Sequence, residues 1–299
     1  MPDTVELRGI HKTYDHFVAV DHLSLNIREG SVFGLLGPNG AGKTSAIRMM
    51  IGITIPDEGE VRLFGEKFHR QQLERIGYLP EERGLYKRMK VLDHLIFLGR
   101  LHGLSVPEAR QRSLDWCERL QISNWVRKKV EELSKGMQQK IQFIAALLHD
   151  PDLLILDEPF SGLDPANAVM LKDVMVELRK AGKTILFSTH RMDQVERMCD
   201  SICLIDHGRS VLEGDLKKIK ASYGKNTVQM QYEGGPPFDH NEMVQSVNDY
   251  GNYVEVRLKP GADPQQLLRV ACERARISRF ELMEPSLEEI FINVVAQNA

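Results

Sequence analysis

Residues 37–44 read Gly-Pro-Asn-Gly-Ala-Gly-Lys-Thr, between an apolar run at 32–36 and a helical stretch at 44–51. This is G-x-x-x-x-G-K-[ST] in its confirming context, with a strand before it and a helix after it. Such a loop needs glycines because its backbone must curl until several N–H groups converge on phosphate oxygens, and the helix that follows adds its positive end. The pattern assigns Gly37, Pro38, Asn39, Gly40, Ala41, Gly42, Lys43, Thr44 and Ser45 to a triphosphate cradle. Lys43 is expected to reach the β- and γ-phosphates as a point charge, and the Thr44 hydroxyl to ligate Mg²⁺. The loop alone does not say which nucleotide binds.

A phosphate loop of this kind belongs to a sheet of parallel strands, and the rest of the chain agrees. Short β-like runs fall at 5–7, 17–20, 23–27, 32–36, 60–64 and 76–79. The pattern turns helical over 91–130, with Pro107 where a helix can begin. A second series follows: strand 153–156, helix 166–180 stopped by Gly182, strand 184–188, a helix, strand 202–205 and a hairpin through His207-Gly208 into 210–212. Strand and helix in alternation predict a largely parallel sheet covered by helices. Composition changes near Asp215, and Gly234-Gly235-Pro236-Pro237 marks a break. The pattern then gives strand 253–258, helix 264–275, strand 277–282 and helix 286–295. The expected division is a nucleotide-binding domain over 1–215, with a helical subdomain at about 86–150, and a small α/β domain over 216–299.

The strand at 153–156 runs into Asp157 and Glu158. In a parallel sheet such a strand end opens onto the ligand crevice. Asp157 there is expected to hold Mg²⁺, and Glu158 to orient or deprotonate the water that attacks the γ-phosphate. Ser161-Gly162-Leu163-Asp164-Pro165 is a tight turn into a helix. His190, after the strand at 184–188, can reach the same crevice.

Charge and hydropathy narrow the alternatives. Lys plus Arg number 39 and Asp plus Glu 42, so the net charge is −3, without the basic surplus of a nucleic-acid binder. The longest apolar run, 143–148, is far short of the roughly twenty residues that span a bilayer. The first residues contain no apolar leader, so a soluble, cytoplasmic protein is expected. Cys199 and Cys203 read as packing residues beside a strand rather than a metal or disulfide pair.

Leu133-Ser134-Lys135-Gly136-Met137-Gln138 opens a helix with apolar positions Ile141, Ile144, Ala145 and Leu148, and Ser134 suits its cap. With phosphate loop, this signature, the acidic strand, Ser161–Asp164 and His190 all in order, residues 4–214 resemble an ATP-binding subunit of the ABC family. The resemblance implies a P-loop α/β core, mostly parallel, with an N-terminal antiparallel β region and a helical subdomain. It implies ATP and Mg²⁺ as cofactors and ATP hydrolysis coupled to transport. It assigns Lys43, Glu158 and His190 to catalysis, Tyr14 to stacking on adenine, and Thr44, Asp157 and Glu81 to the metal. It also implies a head-to-tail pair of subunits, in which Ser134, Gly136 and Asp164 complete a nucleotide site held mainly by the partner. One set of motifs per chain means pairing with a second copy, a homodimer, or a relative.

Two departures from the family pattern stand out. Lys135 and Met137 replace Gly and Gln in the signature, and Glu81 stands where the family usually has glutamine. The run at 81–86 and the C-terminal Glu284–Phe291 segment look like the branch of sodium (NatA-type) and drug exporters whose ATPase is a separate chain. That likeness implies a separate transmembrane permease, docked at the helical region from about Tyr86 to Val130. It also implies a peripheral location at the cytoplasmic face of the membrane. The alternatives are a non-transport ABC ATPase acting on nucleic acid or ribosomes and a P-loop kinase or GTPase. The first usually carries two ATPase domains or a coiled-coil insertion, and the second has no place for the signature helix. No nucleic-acid partner is expected.

Overall fold

The computed structural model describes residues 2–82, 84–223, 227–234 and 242–298. They form two compact units, Met1–Gly214 and Asp215–Ala299. In the first unit, β1 (Asp3–Tyr14) and β2 (Phe17–Arg28) make a long antiparallel hairpin. After β3 (Val32–Leu36) and α1 (Lys43–Met50), β4 (Glu58–Leu63) and β5 (Glu66–Lys67) complete this sheet, whose order is β2-β1-β4-β5. The alternation in β1 and β2 is that of strands with one covered face: Val5, Leu7, Leu23, Leu25 and Ile27 are buried, while Arg8, Ser24 and Asn26 are exposed.

The second sheet holds β3 together with β6 (Ile76–Leu79), β7 (Leu153–Asp157), β8 (Thr184–Thr189), β9 (Ser201–Asp206) and β10 (Arg209–Asp215). Its order is β10-β9-β3-β8-β7-β6, and the five strands from β9 to β6 pair in parallel. Strands covered on both faces lose alternation and become continuous apolar runs; β3 and β7 are buried at every position. One apolar cluster joins the inner face of the first sheet, α1 and one face of the second, through Leu7, Ile27, Ile47, Met50, Ile155 and Leu186. Side chains of that size each stabilise the fold by about 1.5–3 kcal/mol on burial, so α1, and the loop before it, is anchored from below.

Between β6 and β7 lie α2 (Val91–Leu101), α3 (Val106–Arg119) and α4 (Lys135–Leu147). A capping box starts α3: the Glu108 amide donates to Ser105 Oγ at 3.4 Å, and the Ser105 amide to Glu108 Oε2 at 3.1 Å, with Pro107 in the first turn. Ser134 caps α4. α5 (Pro165–Lys180) links β7 to β8, and α6 (Met192–Met198) links β8 to β9. Cys199 and Cys203 are free thiols; the Cys199 sulfur packs beside Gly34 and the buried Cys203 lies on β9. Among the described residues no helix is long and apolar enough to cross a membrane.

The second unit contains α7 (Leu216–Ser222), β11 (Thr227–Glu233), β12 (Val244–Asp249), β13 (Val254–Leu258), α8 (Pro264–Arg274), β14 (Arg276–Met283) and α9 (Leu287–Asn298). Its sheet order is β12-β13-β11-β14, antiparallel throughout. Val228, Met230, Val254, Val256 and Leu258 pack with Leu267 and Ala271 of α8.

The structure differs from the sequence expectation in two main places. The runs at 17–20 and 23–27 are one strand, because a bulge at His22 (φ 49°) slips the register without ending the pairing. In the second unit, α7, β11 and β12 were not foreseen: β12 is mostly exposed, whereas β11 alternates, with Val228 and Met230 buried between polar neighbours. Of the expected break at 234–237, only Gly234 lies within the described residues.

Candidate functional site

The loop between β3 and α1 is shaped from behind and below. Gly37 has φ 150°, and a Cβ there would lie 2.2 Å from the Ile205 carbonyl oxygen; Gly42 has φ 106°, and its Cβ would meet the Ala19 carbonyl oxygen at 2.3 Å. No other residue fits either position. Lys43 is buried, and its Nζ donates to the carbonyls of Gly37 at 2.8 Å and Pro38 at 3.0 Å. The ammonium therefore spans the loop it belongs to. Burial pushes its pKa down, against the opposing fields of Glu158, Asp157 and Glu81.

The acidic side is assembled by sheet register. β8 lies between β3 and β7, with Leu36 level with Thr189 and Asp157 level with Ser188, so three strands end on one rim. Asp157 is fully buried. Its Oδ2 accepts from the Thr44 hydroxyl at 2.9 Å, and its Oδ1 accepts from the Ser188 hydroxyl. The Ser188 oxygen in turn accepts from the Glu158 amide at 3.0 Å. Glu158 adopts the left-handed region at φ 50°, uncommon for a residue with a side chain. Its Oε1 lies 2.9 Å from His190 Nδ1. Thr44, Asp157, Ser188, Glu158 and His190 thus form one hydrogen-bonded chain. Burial and the Asp157 charge also push the Tyr78 hydroxyl up to about 12, so it stays protonated.

A cavity of about 460 Å³ opens in front of this chain. Of the residues expected from sequence, Tyr14, Asn39, Gly40, Gly42, Lys43, Thr44, Ser45, Glu81, Asp157 and Glu158 line it. Gly37, Pro38 and Ala41 build the loop without lining the cavity, and His190 connects to it through Glu158. Ser134, Gly136 and Asp164 lie elsewhere, at the starts of α4 and α5. The Ser134 oxygen accepts from the Met137 amide at 3.3 Å, and Asp164 Oδ1 from the Asn167 amide at 3.0 Å. A Cβ on Gly136 would sit 3.3 Å from the Gly162 carbonyl oxygen, so the two turns pack together. Ser134 and Asp164 face solvent.

Sequence reasoning missed Phe17, Ala19 and Ser188. Phe17 pairs with Tyr14 across the hairpin and is 62% exposed at the cavity mouth. The tight Asp15-His16 turn, which sets the two residues opposite each other, was the available signal. Ser188 had none, because its value comes from the strand beside it.

The antiparallel sheet, parallel sheet and helical layer match known proteins. Residues 20–161 match the ABC transporter family, and residues 214–295 match the C-terminal domain of DrrA1-3-like ATP-binding proteins. The chain is 45% identical to the uncharacterized ABC transporter ATP-binding protein YhaQ of Bacillus subtilis (strain 168), over 96% of both chains. It is 34% identical to the Nod factor export ATP-binding protein I of Rhizobium sp. (strain N33), over 98% of this chain and 97% of that one. Among solved structures, a dimeric post-hydrolysis state of the ATP-binding cassette MJ0796 bound to ADP and Pi aligns at TM-score 0.66 and 25% identity. The alignment covers 71% of this chain and 98% of that one.

Proposed function

Given that this chain belongs to the family of ABC transporter ATP-binding proteins, we propose that it is the ATP-hydrolysing subunit of an exporter, acting as a homodimer on a separate membrane permease. The observation that carries this reading is the hydrogen-bonded chain from Thr44 through Asp157 and Ser188 to Glu158 and His190, set at the mouth of the Lys43 loop. Export is supported by the Nod factor export relative and by the DrrA1-3-like C-terminal domain.

In this reading Tyr14 and Phe17 hold the adenine, and the loop amides with Lys43 take the phosphates. Lys43 exchanges the Gly37 and Pro38 carbonyls for phosphate oxygens. Thr44, Asp157 and Glu81 offer a hydroxyl and two carboxylates, an all-oxygen set suited to Mg²⁺. When bound there, the ion neutralises charge on the β- and γ-phosphates. Glu158 accepts a proton from the attacking water. His190 fixes the Glu158 carboxylate by its Nδ1 contact and faces solvent on its other edge, where it can contact the γ-phosphate.

Ser134, Gly136 and Asp164 serve the partner's nucleotide. A serine-capped helix start that faces solvent away from its own chain's nucleotide cavity is an anion site that a second subunit can use. Coupling to a permease would hold the protein at the cytoplasmic face of the membrane. The net charge of −3 favours this over the nucleic-acid alternative.

Mixing Lys43→Ala with Ser134→Arg subunits tests the shared site. Each variant alone should occlude no ATP between its subunits, while the mixture occludes one ATP per heterodimer. Mixed dimers that form but occlude none would refute the arrangement. Co-purification of a polytopic membrane protein tests the exporter assignment separately.

A further inference from the structure

We propose that His11, Asp21 and His22 form a binding site for a cation of the Zn²⁺ class, on the hairpin that walls the nucleotide cavity. Among the described residues these three bring a ligand atom each to within 4.8 Å of one another. His11 Nδ1 lies 3.3 Å from Asp21 Oδ1, and His22 Nε2 lies 3.9 Å from the same oxygen. Ligands bound tetrahedrally at about 2.0–2.1 Å are roughly 3.3 Å apart. One edge is already closed, and the exposed His22 side chain can close the others.

The backbone accounts for the grouping. Adjacent residues in a strand point to opposite faces, so Asp21 and His22 should not share one. The register passes from Ile10 opposite Leu23 to Lys12 opposite Val20, which sets both Asp21 and His22 against His11. His22 has φ 49°, a conformation that costs a non-glycine residue about 1 kcal/mol or more. Bulges of this kind re-aim side chains near functional sites.

The surroundings hold the ligands in place. The Arg209 guanidinium donates to Asp21 Oδ2 at 2.6 Å, leaving Oδ1 to the histidines. His11 Nε2 lies 3.1 Å from Thr13 Oγ1, which turns Nδ1 inward, where it is buried without a hydrogen-bond partner. Nearby, Asp57 is engaged by Lys12 and by the Thr13 amide. Two imidazoles and one carboxylate, with a side open to solvent at His22, suit Zn²⁺, Co²⁺ or Ni²⁺ and disfavour Mg²⁺. Ala19, two residues before Asp21, lines the nucleotide cavity, and the Asp21 amide donates to the Gly208 carbonyl at 2.9 Å. A bound cation would therefore brace the wall on which Tyr14 and Phe17 sit.

The test titrates untagged full-length protein, free of nucleotide, with ZnCl₂ against a chromophoric chelator, and with Co²⁺ for its tetrahedral d–d bands. Wild type should bind one Zn²⁺ per chain, undisturbed by millimolar Mg²⁺. Affinity should fall at least about tenfold in His11→Gln and in His22→Asn, since second-shell changes alone cost 10- to 100-fold. Asn tolerates the left-handed backbone, so His22→Asn decides the matter if His11→Gln does not fold. Zn²⁺ affinity unchanged in the variants, or a wild type without tetrahedral Co²⁺ bands, overturns the proposal and leaves the cluster a histidine–aspartate contact.

Discussion

Ser188 ties the Asp157 carboxylate to the backbone amide of Glu158, and replacing it with alanine should impair stability and turnover together. The variant loses a charge-assisted hydrogen bond to fully buried Asp157 and the acceptor of the Glu158 amide. The first is worth about 1.5–3 kcal/mol and the second roughly 1 kcal/mol, so the loss is about 2–4 kcal/mol. In a domain of this size each kcal/mol shifts Tm by about 2–4 °C, giving a fall of roughly 5–15 °C. Glu158 sits at φ 50°, and without the tether its carboxylate is free to leave the attack geometry. Misplacement by about 1 Å can cost 10²-fold, so kcat should fall about 10- to 100-fold with KM little changed. Ser188→Thr, which restores the hydroxyl, should recover most of kcat. Thermal melts and steady-state ATPase assays read both effects. A Ser188→Ala protein that melts within about 1 °C of wild type and turns over normally would refute the reasoning.

Two further outcomes follow from single residues. Phe17→Ala should weaken ATP binding about 5- to 100-fold in equilibrium dialysis, because aromatic stacking on a base contributes roughly 1–3 kcal/mol, whereas Phe17→Tyr should bind normally. His94 in α2 is fully buried with neither ring nitrogen hydrogen-bonded, and burial pushes its pKa from 6.5 down to about 4; His149 is pushed to about 4 in the same way. Both are neutral in the folded chain but take up protons in the unfolded one, so stability is lost as pH falls from 6.5 toward 4. The slope is about 1.4 kcal/mol per pH unit for each. In melts between pH 7 and 5, His94→Phe should show a shallower decline, and an unchanged slope would contradict this assignment.

How much was legible in the sequence depended on the range of the signal. The phosphate loop, β3, β6 and β7 were read to within a residue, because strands buried on both faces are uninterrupted apolar runs and the loop obeys a fixed spacing. The β1–β2 hairpin was read in fragments, since its bulge at His22 breaks the alternation but not the ladder. β12 escaped because an exposed strand with few apolar residues has no period to detect, whereas β11 carries a period-2 alternation through Val228, Met230 and Tyr232 that was there to be read. In the site, Lys43, Thr44, Asp157 and Glu158 were read from local motifs. Ser188 owes its place to cross-strand register, which a single strand does not encode, and Phe17 to the two-residue turn after Tyr14, a local signal that was passed over.

The backbone of the phosphate loop, fixed even though the Lys43 ammonium must release two carbonyls to meet its ligand, has a kinetic consequence. With Gly37 and Gly42 seated against strand and hairpin backbone, the mould is cast before its guest arrives, and little freedom is left to surrender on binding. Capture of the triphosphate should then run at a rate set by collision and desolvation, so that residence time rather than arrival distinguishes one nucleotide from another.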